Sequence, residues 1–225
     1  MLAAIIVAGG NSERMGFDKM FALLAGQPVV ACAIDAFQQT DAVTEIIIVG
    51  RKDRLDDLKE IARPRPKVRG VVAGGQRRQD SVFAGLSGLG PGSEYVAVHD
   101  AARPLITSGE IERVFEACRT HEAAALAEPV TDTLKRATKD LVVCGGVERE
   151  GLYAMQTPQI FRRRLLLEAY QAASQNNALL SDEVSAIELL GKKVVIVPNG
   201  EFNLKITYPR DLALAELILS RRRDA

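Results

Sequence analysis

The chain has 225 residues, with 29 basic and 29 acidic side chains and no formal net charge. This balance supplies no excess of positive charge for a phosphate backbone, so we expect no nucleic-acid partner. A chain of this length is compatible with one α/β core, and we predict a single domain over residues 1–225.

The cysteines and the first segment of the chain favour a cytoplasmic protein. Cys32, Cys118 and Cys144 are odd in number and form no CxxC pair, which is typical of reduced, buried thiols. The apolar residues 1–8 form a short run without a basic flank and lead directly into glycines, which indicates a buried strand. We therefore expect neither a signal peptide nor a membrane span.

Short apolar runs alternate with segments of helical period along the chain. The predicted strands cover residues 2–8, 45–49, 67–72, 95–99, 123–127 and 193–197. The predicted helices cover residues 29–39, 54–61, 80–89, 109–121, 162–175, 183–190 and 211–221, with N-caps at Ser108, Ser181 and Thr207. This alternation predicts a doubly wound, mostly parallel α/β sheet with helices on both faces. The active site is expected at the carboxyl ends of its strands.

Residues 133–147 interrupt the alternation. Their sequence, TLKRATKDLVVCGGV, consists of two short mixed strands around a polar turn and predicts a β-hairpin arm that projects from the main sheet. A lone hairpin is marginally stable in water, so we expect it to pack on another subunit or over the active site.

The loop after the first strand combines glycines with two cations. Gly9 and Gly10 allow a ligand close to the backbone, while Arg14 and Lys19 offer a guanidinium fork and an ammonium charge to phosphate oxygens. The loop contains neither GxGxxG nor Gly-Lys-Ser/Thr, which argues against dinucleotide-binding and Walker loops. The glycines alone fit a surface turn equally well. Their order with Arg14 and Lys19 favours a triphosphate site.

Two further segments follow predicted strands. Residues 74–81 place backbone amides and Ser81 where a nucleobase could be read, although a strand-to-helix turn capped by Asp80 is equally compatible. Asp100 follows the strand at 95–99 and is a candidate Mg²⁺ ligand, because that ion binds carboxylate and phosphate oxygens together. Without the neighbouring glycine loop, a helix-capping or salt-bridged aspartate would explain Asp100 better.

Seven motifs cover nearly the whole chain in order: AGGNSERMG with Lys19, GGQRRQDSVFAGL, VHDAARP, PVTDTLK, VEREGLYAMQTPQIF, SDEVSA and NLKITYPRDL. Together they resemble the 2-C-methyl-D-erythritol 4-phosphate cytidylyltransferases of the non-mevalonate isoprenoid pathway. The resemblance implies a Rossmann-like nucleotidyltransferase sheet and a reaction of CTP with a small polyol phosphate that releases pyrophosphate. It also implies Mg²⁺ as the divalent cation and a homodimer formed through the hairpin arm.

The resemblance also implies residue roles. By motif, Arg14 and Lys19 would stabilise the pentacoordinate α-phosphate, Asp100 would hold Mg²⁺, and Arg149 and Lys205 would position the acceptor phosphate. The implied CTP pocket comprises Ala8, Gly9, Gly10, Gly75, Asp80 and Ser81. The implied acceptor pocket comprises Arg103, Thr133, Thr157 and Ser181, with Thr133 and Arg149 reaching across the dimer.

Three details of the sequence bear on these roles. No general base is required, because the acceptor phosphate is already ionised near neutral pH, so we interpret His99 as a structural neighbour of Asp100. Asp18 stands before Lys19 where many relatives have proline, which bears on how Lys19 is directed. Ser181 stands where threonine is common and preserves a hydroxyl.

Three other functions remain open at this point. A cytidylyltransferase for another acceptor, such as ribitol 5-phosphate, would share the nucleotide loop and the VHDAARP-like segment. An NAD(P)-dependent reductase would need GxGxxG and an acidic residue ending the second strand, where Gly50, Arg51 and Lys52 follow instead. A catalytically silent nucleotide-binding protein would not need the four charged residues at 14, 19, 100 and 205 together.

Overall fold

Residues 1–223, which the computed structural model describes, alternate between strands and helices over most of their length. The strands are β1 (Leu2–Ala8), β2 (Leu23–Leu24), β3 (Gln27–Pro28), β4 (Val43–Gly50), β5 (Val68–Ala73), β6 (Tyr95–Asp100), β7 (Ala123–Pro129), β8 (Leu134–Ala137), β9 (Val143–Val147), β10 (Tyr153–Arg162) and β11 (Val195–Pro198). The α-helices are α1 (Val29–Gln39), α2 (Leu55–Ala62), α3 (Arg78–Gly88), α4 (Ser108–His121), α5 (Arg163–Gln175), α6 (Glu183–Leu189) and α7 (Pro209–Arg223), and a 3-10 turn covers Lys52–Arg54.

The central sheet has seven strands in the order β11-β7-β10-β6-β1-β4-β5. β1 pairs in parallel with β4 and β6, β4 pairs in parallel with β5, and β11 pairs in parallel with β7. The mostly parallel α/β sheet predicted from the sequence is confirmed.

The sequence does not predict β10, which lies antiparallel between β6 and β7. Gln156, Thr157 and Pro158 interrupt the apolar pattern of this strand, and its register with β7 shifts between Met155 and Gln159. Proline removes a hydrogen-bond donor from the ladder, so its presence argues against a central strand. Pairing with strands on both sides therefore stabilises an element whose local sequence does not favour it.

The central strand β1 is apolar throughout because each of its faces packs under a different layer of helices. Ile6 belongs to a buried cluster with Val30 and Phe37 of α1. Ile5 points to the opposite face, where it joins a cluster with Val82 of α3. Burying one such side chain contributes roughly 1.5–3 kcal/mol, so the two clusters fix β1 at the centre of the sheet.

The strand register brings four carboxyl ends to one edge of the sheet. Val7 in β1 lies opposite Asp100 in β6, and Ala8 lies opposite Gly50 in β4. Gly50 in turn lies opposite Ala73, the last residue of β5. The loops that leave these strands therefore converge at this edge.

The predicted hairpin is confirmed. β8 and β9 pair with each other in antiparallel fashion and form a two-stranded sheet apart from the central one. Leu141, Val142 and Val143 at its turn are 86%, 61% and 63% exposed. These three neighbouring apolar side chains are therefore largely open to solvent at the end of the hairpin.

Cys144, in β9 of the hairpin, is exposed, which contradicts the expectation of a buried thiol. The reason is that an isolated two-stranded sheet leaves both faces open to solvent. Cys32 and Cys118 are buried, as expected.

Two of the predicted N-caps are displaced by one residue. Thr107 rather than Ser108 caps α4, because its hydroxyl accepts from the Glu110 N–H while the Glu110 carboxylate accepts from the Thr107 N–H. Asp182 rather than Ser181 caps α6, where its carboxylate accepts from a first-turn N–H. In each case two adjacent residues are both of a capping type, and local pattern does not distinguish them.

At the start of α7, the predicted cap Thr207 directs its hydroxyl to the Lys205 carbonyl at 2.9 Å. The Asp211 carboxylate accepts hydrogen bonds from the N–H groups of Thr207 and Tyr208, both at 2.8 Å. The helix begins at Pro209, two residues before its predicted start. No helix within residues 1–223 has the combination of length and apolar composition that crossing a membrane requires.

Candidate active site

The loop between β1 and β2 is shaped by an internal turn and a buried anchor. The Met15 N–H donates to the Ser12 carbonyl at 2.9 Å, and the Met15 side chain is buried in a cluster that includes Ile206. Ser12 and Gly16 have positive φ angles of 55° and 73°, so the backbone reverses on both sides of Met15. This folding brings the loop beside the segment that precedes α7.

Arg14 and Lys19 of this loop contact that segment. The Arg14 guanidinium carbon lies 5.6 Å from the centroid of the Tyr208 ring, a cation–π contact. Lys19 is 9% exposed, and its Nζ donates to the Ile206 carbonyl at 2.8 Å. Burial lowers the pKa of Lys19, and the positive charges of Lys205 and Arg14 lower it further. A partly dehydrated ammonium interacts strongly with an anion, because less water screens the pair.

A cavity of about 670 Å³ opens at the carboxyl edge of the sheet. The predicted site residues that line it are Gly9, Gly10, Lys19, Gly75, Ser81, Asp100 and Lys205. Among the described residues, six cationic side chains and one carboxylate line the cavity: Lys19, Arg51, Lys52, Arg77, Arg78 and Lys205 against Asp100. Walls with this charge favour an anionic ligand.

The segment between β5 and α3 brings backbone against the first turn of α3. A Cβ at Gly74 would lie 2.6 Å from Ser81 Oγ, and a Cβ at Gly75 would lie 2.4 Å from Asp80 Cβ. Only glycine permits this approach, in which the Gly75 N–H donates to Ser81 Oγ at 3.2 Å. The Asp80 carboxylate accepts from the Arg77 N–H and forms an ion pair with its guanidinium at 2.7 Å. Asp80 thus binds the backbone at the start of α3 rather than lining the cavity.

Asp100, at the end of β6, holds two cations of the cavity. Its Oδ1 lies 3.1 Å from the Arg78 guanidinium, and its Oδ2 lies 2.6 Å from Lys205 Nζ. Burial alone would raise the pKa of Asp100, but the charges of Arg78 and Lys205 outweigh burial and hold this pKa well below its ordinary range. Asp100 is therefore ionised at neutral pH.

Arg78 extends this network away from the cavity. Its guanidinium also pairs with Glu183 at 2.7 Å, and Glu183 accepts from the Tyr170 hydroxyl at 3.0 Å. Glu183 is 1% exposed, and burial raises its pKa while the charge of Arg78 opposes the rise. The contacts with Asp100 and Glu183 fix the Arg78 guanidinium between α6 and the end of β6.

His99 lies beside Asp100 and is completely buried. Its Nε2 lies 3.1 Å from the Arg103 carbonyl, which can only accept, so Nε2 carries the proton. The Thr157 hydroxyl then donates to His99 Nδ1 at 3.1 Å, while it accepts from the Asp100 N–H at 3.0 Å. Burial lowers the pKa of His99 to about 4. A neutral imidazole with both nitrogens bonded fits the structural role predicted for it.

The comparisons with known proteins agree on one family. The family model described as IspD, 2-C-methyl-D-erythritol 4-phosphate cytidylyltransferase, matches residues 2–221. The enzyme of that name from Pelotomaculum thermopropionicum is 39% identical over 228 residues, covering 98% of this chain and 95% of the relative. The namesake from Halalkalibacterium halodurans is also 39% identical, covering 98% and 97% of the two chains. The chain belongs to the IspD family.

Solved structures of the IspD family share the fold. The 4-diphosphocytidyl-2C-methyl-D-erythritol synthase from Anaerococcus prevotii superimposes with a TM-score of 0.86 at 30% identity, covering 98% of this chain and 96% of the other. The 2-C-methyl-D-erythritol 4-phosphate cytidylyltransferase from Thermus thermophilus gives 0.81 at 29% identity, covering 96% and 98%. The IspD family is one of nucleotidyltransferases, so the reductase considered from the sequence is excluded.

The residues that IspD-family motifs assign to the acceptor are spread over several places. Arg103 is largely buried, and its guanidinium donates to the carbonyls of Asn203 at 2.7 Å and Met155 at 3.3 Å. Thr133 and Arg149 are exposed at the base of the hairpin, where Arg149 donates to a neighbouring carbonyl. In the described part of the chain, residues 1–223, none of these three residues lines the cavity.

Ser181 lies just before the N-cap of α6. Its hydroxyl is exposed and lies 3.5 Å from the Asp182 carboxylate. Thr157 is buried. In the described residues, its side chain forms hydrogen bonds only with the Asp100 N–H and with His99. Most of the predicted nucleotide-side residues therefore line one cavity together with Lys205 of the acceptor side. Within residues 1–223, the predicted site residues that do not line it are Ala8, Arg14, Asp80, Arg103, Thr133, Arg149, Thr157 and Ser181.

Sequence reasoning assigned no role to Arg78, Glu183 or Arg51, although the structure places all three at the site. Arg78 and Arg51 line the cavity, and Glu183 holds Arg78 from behind. Arg51 directly follows β4, and Arg78 begins the helix after β5. Ligand sites of such sheets lie at the carboxyl ends of the strands, so these positions could have indicated both arginines. Glu183 carries no such signal, because its contact with Arg78 joins residues 105 positions apart.

The donor set at the cavity fits a magnesium ion that arrives with a nucleotide. Within residues 1–223, no group of three or more His, Cys, Asp or Glu side chains is placed to hold a metal. Mg²⁺ is commonly bound through one or two carboxylates, several waters and substrate phosphates. Asp100 supplies such a carboxylate, buried and ionised at the cavity wall.

Proposed function

We propose that this chain couples CTP to 2-C-methyl-D-erythritol 4-phosphate, forming 4-diphosphocytidyl-2-C-methyl-D-erythritol and pyrophosphate for isoprenoid precursor synthesis. The match of residues 2–221 to the IspD family carries the proposal. An oxygen of the acceptor phosphate attacks the α-phosphorus of CTP. The bond from that phosphorus to the oxygen bridging to the β-phosphorus breaks, and pyrophosphate leaves with the electron pair.

In this function, Arg14 and Lys19 stabilise the α-phosphorus as its coordination rises to five. The reaction brings a phosphate dianion to a polyanionic triphosphate, so charge repulsion opposes their approach. The burial of Lys19 and its lowered pKa support the assignment, because a desolvated cation contributes more than a hydrated one. Catalysis then consists mainly of positioning and charge neutralisation.

Asp100 would hold Mg²⁺ at this site. The bound ion supplies positive charge to the triphosphate and its leaving group. Lys205, which pairs with Asp100, is assigned to the acceptor phosphate together with Arg149. Lys205 is partly exposed, so its side chain is free to exchange one anionic partner for another.

The CTP pocket is assigned to the cavity wall that the glycine segments form. Its members are Ala8, Gly9, Gly10, Gly75, Asp80 and Ser81. The Gly9, Gly10, Gly75 and Ser81 positions on the cavity support this assignment, while Asp80 acts through the start of α3. The acceptor pocket is assigned to Arg103, Thr133, Thr157 and Ser181.

A homodimer formed through the β8–β9 hairpin would complete the acceptor side. The exposed apolar turn at Leu141, Val142 and Val143 supports this assembly, because burying it removes about 25 cal/mol per Å² of unfavourable hydration. Thr133 and Arg149 lie at the base of the same hairpin and would reach the partner's site. The protein is assigned to the cytoplasm.

The test is pyrophosphate release with CTP, Mg²⁺ and 2-C-methyl-D-erythritol 4-phosphate. Ribitol 5-phosphate serves as the alternative acceptor, and ATP, GTP and UTP serve as nucleotide controls. We expect turnover with CTP and the methylerythritol acceptor alone, and loss of the chemical step in Lys19→Ala under single-turnover conditions. Turnover with ribitol 5-phosphate alone would contradict the assigned acceptor, and release without any acceptor would indicate hydrolysis instead.

A further inference from the structure

Asp18, the residue before Lys19, is paired with two arginines from a distant segment. Its Oδ2 lies 3.0 Å from the Arg51 guanidinium and 3.2 Å from Arg54 Nε. Arg51 directly follows β4, and Arg54 ends the 3-10 turn, so these contacts join the loop after β1 to the connection between β4 and α2. The Asp18 side chain is only 15% exposed, so water screens these pairs less than typical surface pairs.

The other carboxylate oxygen of Asp18 organises its own turn. The Met20 N–H donates to Asp18 Oδ1 at 3.2 Å, and the Phe21 N–H donates to the Asp18 carbonyl at 3.3 Å. Arg54 adds a cation–π contact, with its guanidinium carbon 5.0 Å from the centroid of the Phe21 ring. The Asp18 carboxylate therefore binds the backbone of its own turn at Met20 and also attaches this turn to a neighbouring segment.

Lys19 lies inside this turn, and its backbone is held from both sides. Its N–H donates to Ser12 Oγ at 3.2 Å, and its side chain crosses to the Ile206 carbonyl. The Lys19 side chain is long and has several rotatable bonds, so the direction of its ammonium depends on a fixed backbone origin. Asp18, the residue directly before it, attaches the same stretch of backbone to Arg51 and Arg54.

We propose that Asp18 is a positioning residue, whose ion pairs with Arg51 and Arg54 direct Lys19 towards the nucleotide cavity. This inference rests on the proposed function for the role of Lys19. Arg51 also lines the cavity, so its ion pair with Asp18 fixes this part of the cavity wall relative to the loop that carries Lys19. The ion pairs thus hold the relative positions of two cations that face the nucleotide.

The primary variant is Asp18→Asn, with Asp57→Asn as the matched control. Asp57 pairs with the same Arg54 at 3.0 Å, but it is exposed and contacts no residue of the loop in the described ion pairs. Both changes remove one negative charge. Because small displacements of a catalytic group cost up to about 10²-fold, we expect kcat of Asp18→Asn to fall about tenfold. The KM for CTP should stay within about twofold of wild type or decrease, since Arg51 remains cationic at the cavity.

A second readout follows Lys19 itself. Limited acylation of the full-length protein, read by mass spectrometry, should label Lys19 at least about threefold faster in Asp18→Asn, because a displaced ammonium is less buried. Labelling of the exposed Lys59 should not change. This measurement does not depend on turnover, so it tests the positioning of Lys19 even if the wild-type protein releases no pyrophosphate. That failure would reject the proposed function but not the positioning role of Asp18.

A double variant separates the ion pair from independent effects. If the pair acts as a unit, Asp18→Asn combined with Arg51→Gln should lose no more kcat than the worse single variant. Additive losses of kcat in the double variant would overturn the proposal. The proposal would also be overturned if Asp18→Asn and Asp57→Asn had the same kcat and the same rate of Lys19 labelling. If Asp18→Asn does not fold, Arg54→Gln removes one partner from the other side and should raise Lys19 labelling in the same direction. Unchanged labelling in a folded Arg54→Gln would likewise reject the proposal.

Discussion

Lys205 Nζ lies 2.6 Å from Asp100 Oδ2, so the cation assigned to the acceptor phosphate and the carboxylate assigned to Mg²⁺ form an ion pair. The contact fixes both side chains at the wall of the cavity. A triphosphate with its metal ion offers both residues a stronger opposite charge. We therefore expect the substrates to compete with this ion pair for both side chains.

The first prediction concerns the positive charge of Lys205. Lys205→Gln should reduce kcat/KM for the acceptor by about 10²-fold or more, because removing a charged contact to a phosphate costs several kcal/mol in a partly dry site. Steady-state pyrophosphate release at varied acceptor concentration measures this loss. Lys59→Gln, which removes an exposed lysine of α2, is the control and should leave kcat/KM unchanged. Equal values for the two variants would remove Lys205 from the acceptor site.

The second prediction concerns Glu183, whose only described charged partner is Arg78. Glu183→Ala should destabilise the fold by about 3 kcal/mol, because it leaves Arg78 with less neutralisation and also removes the acceptor of the Tyr170 hydroxyl. Urea denaturation followed by circular dichroism measures the free energy of unfolding. The exposed pair of Glu116 with Arg119 supplies the control, since Glu116→Ala should cost less than about 1 kcal/mol. A similar small loss for Glu183→Ala would show that the buried network contributes little.

The third prediction is a pH dependence of stability that arises from His99. Its pKa is lowered from 6.5 to about 4 in the folded chain, so the unfolded state binds more protons between these values. Stability is therefore complete above pH 6.5 and decreases as pH falls towards about 4. The total loss from this one group is on the order of 3 kcal/mol.

The measurement is the free energy of unfolding as a function of pH, compared between wild type and two variants. His99→Gln should flatten the slope between pH 6.5 and about 4. His121→Gln, which replaces the other histidine of the chain at an exposed position, should keep the slope. Asp100 contributes at lower pH, because its depressed pKa adds stability that is lost only as pH falls below the ordinary range of a carboxyl. An unchanged slope in His99→Gln would contradict the pKa assignment.

The fourth prediction concerns the hairpin turn. Val143→Asp should convert a dimer to a monomer, because a charge in an apolar contact is buried without a partner. Sedimentation velocity measures the assembly, and turnover should fall with it if Thr133 and Arg149 act across the dimer. Leu217→Asp, an equally drastic change at an exposed leucine of α7, is the control and should preserve assembly. A Val143→Asp protein that stays dimeric would place the interface elsewhere.

Much of the fold follows from local patterns. Residues close together in sequence are enough to predict several elements. These are the strands β1 and β6 from their apolar runs, the helices α1 and α5 from their helical periods, and the hairpin at 133–147 from its polar turn. The strand β10 does not, because Pro158 and its polar neighbours argue against a strand until β6 and β7 pair with it. The caps at Thr107 and Asp182 were missed by one residue for a related reason. Two adjacent residues can each cap the helix, and only the packing of the helix decides which of them does.

The sequence by itself determined the alternating architecture, the glycine loop with Arg14 and Lys19, and the family, because each depends on residues close together or on motifs in a fixed order. Only the tertiary structure decided which charges meet. Asp100 is joined to Arg78 across 22 positions and to Lys205 across 105, and Asp18 is joined to Arg51 across 33. Such pairs depend on strand order and on the burial of both partners. Burial sets the dielectric surroundings and therefore the strength and the pKa of each charge, and no local pattern carries that information.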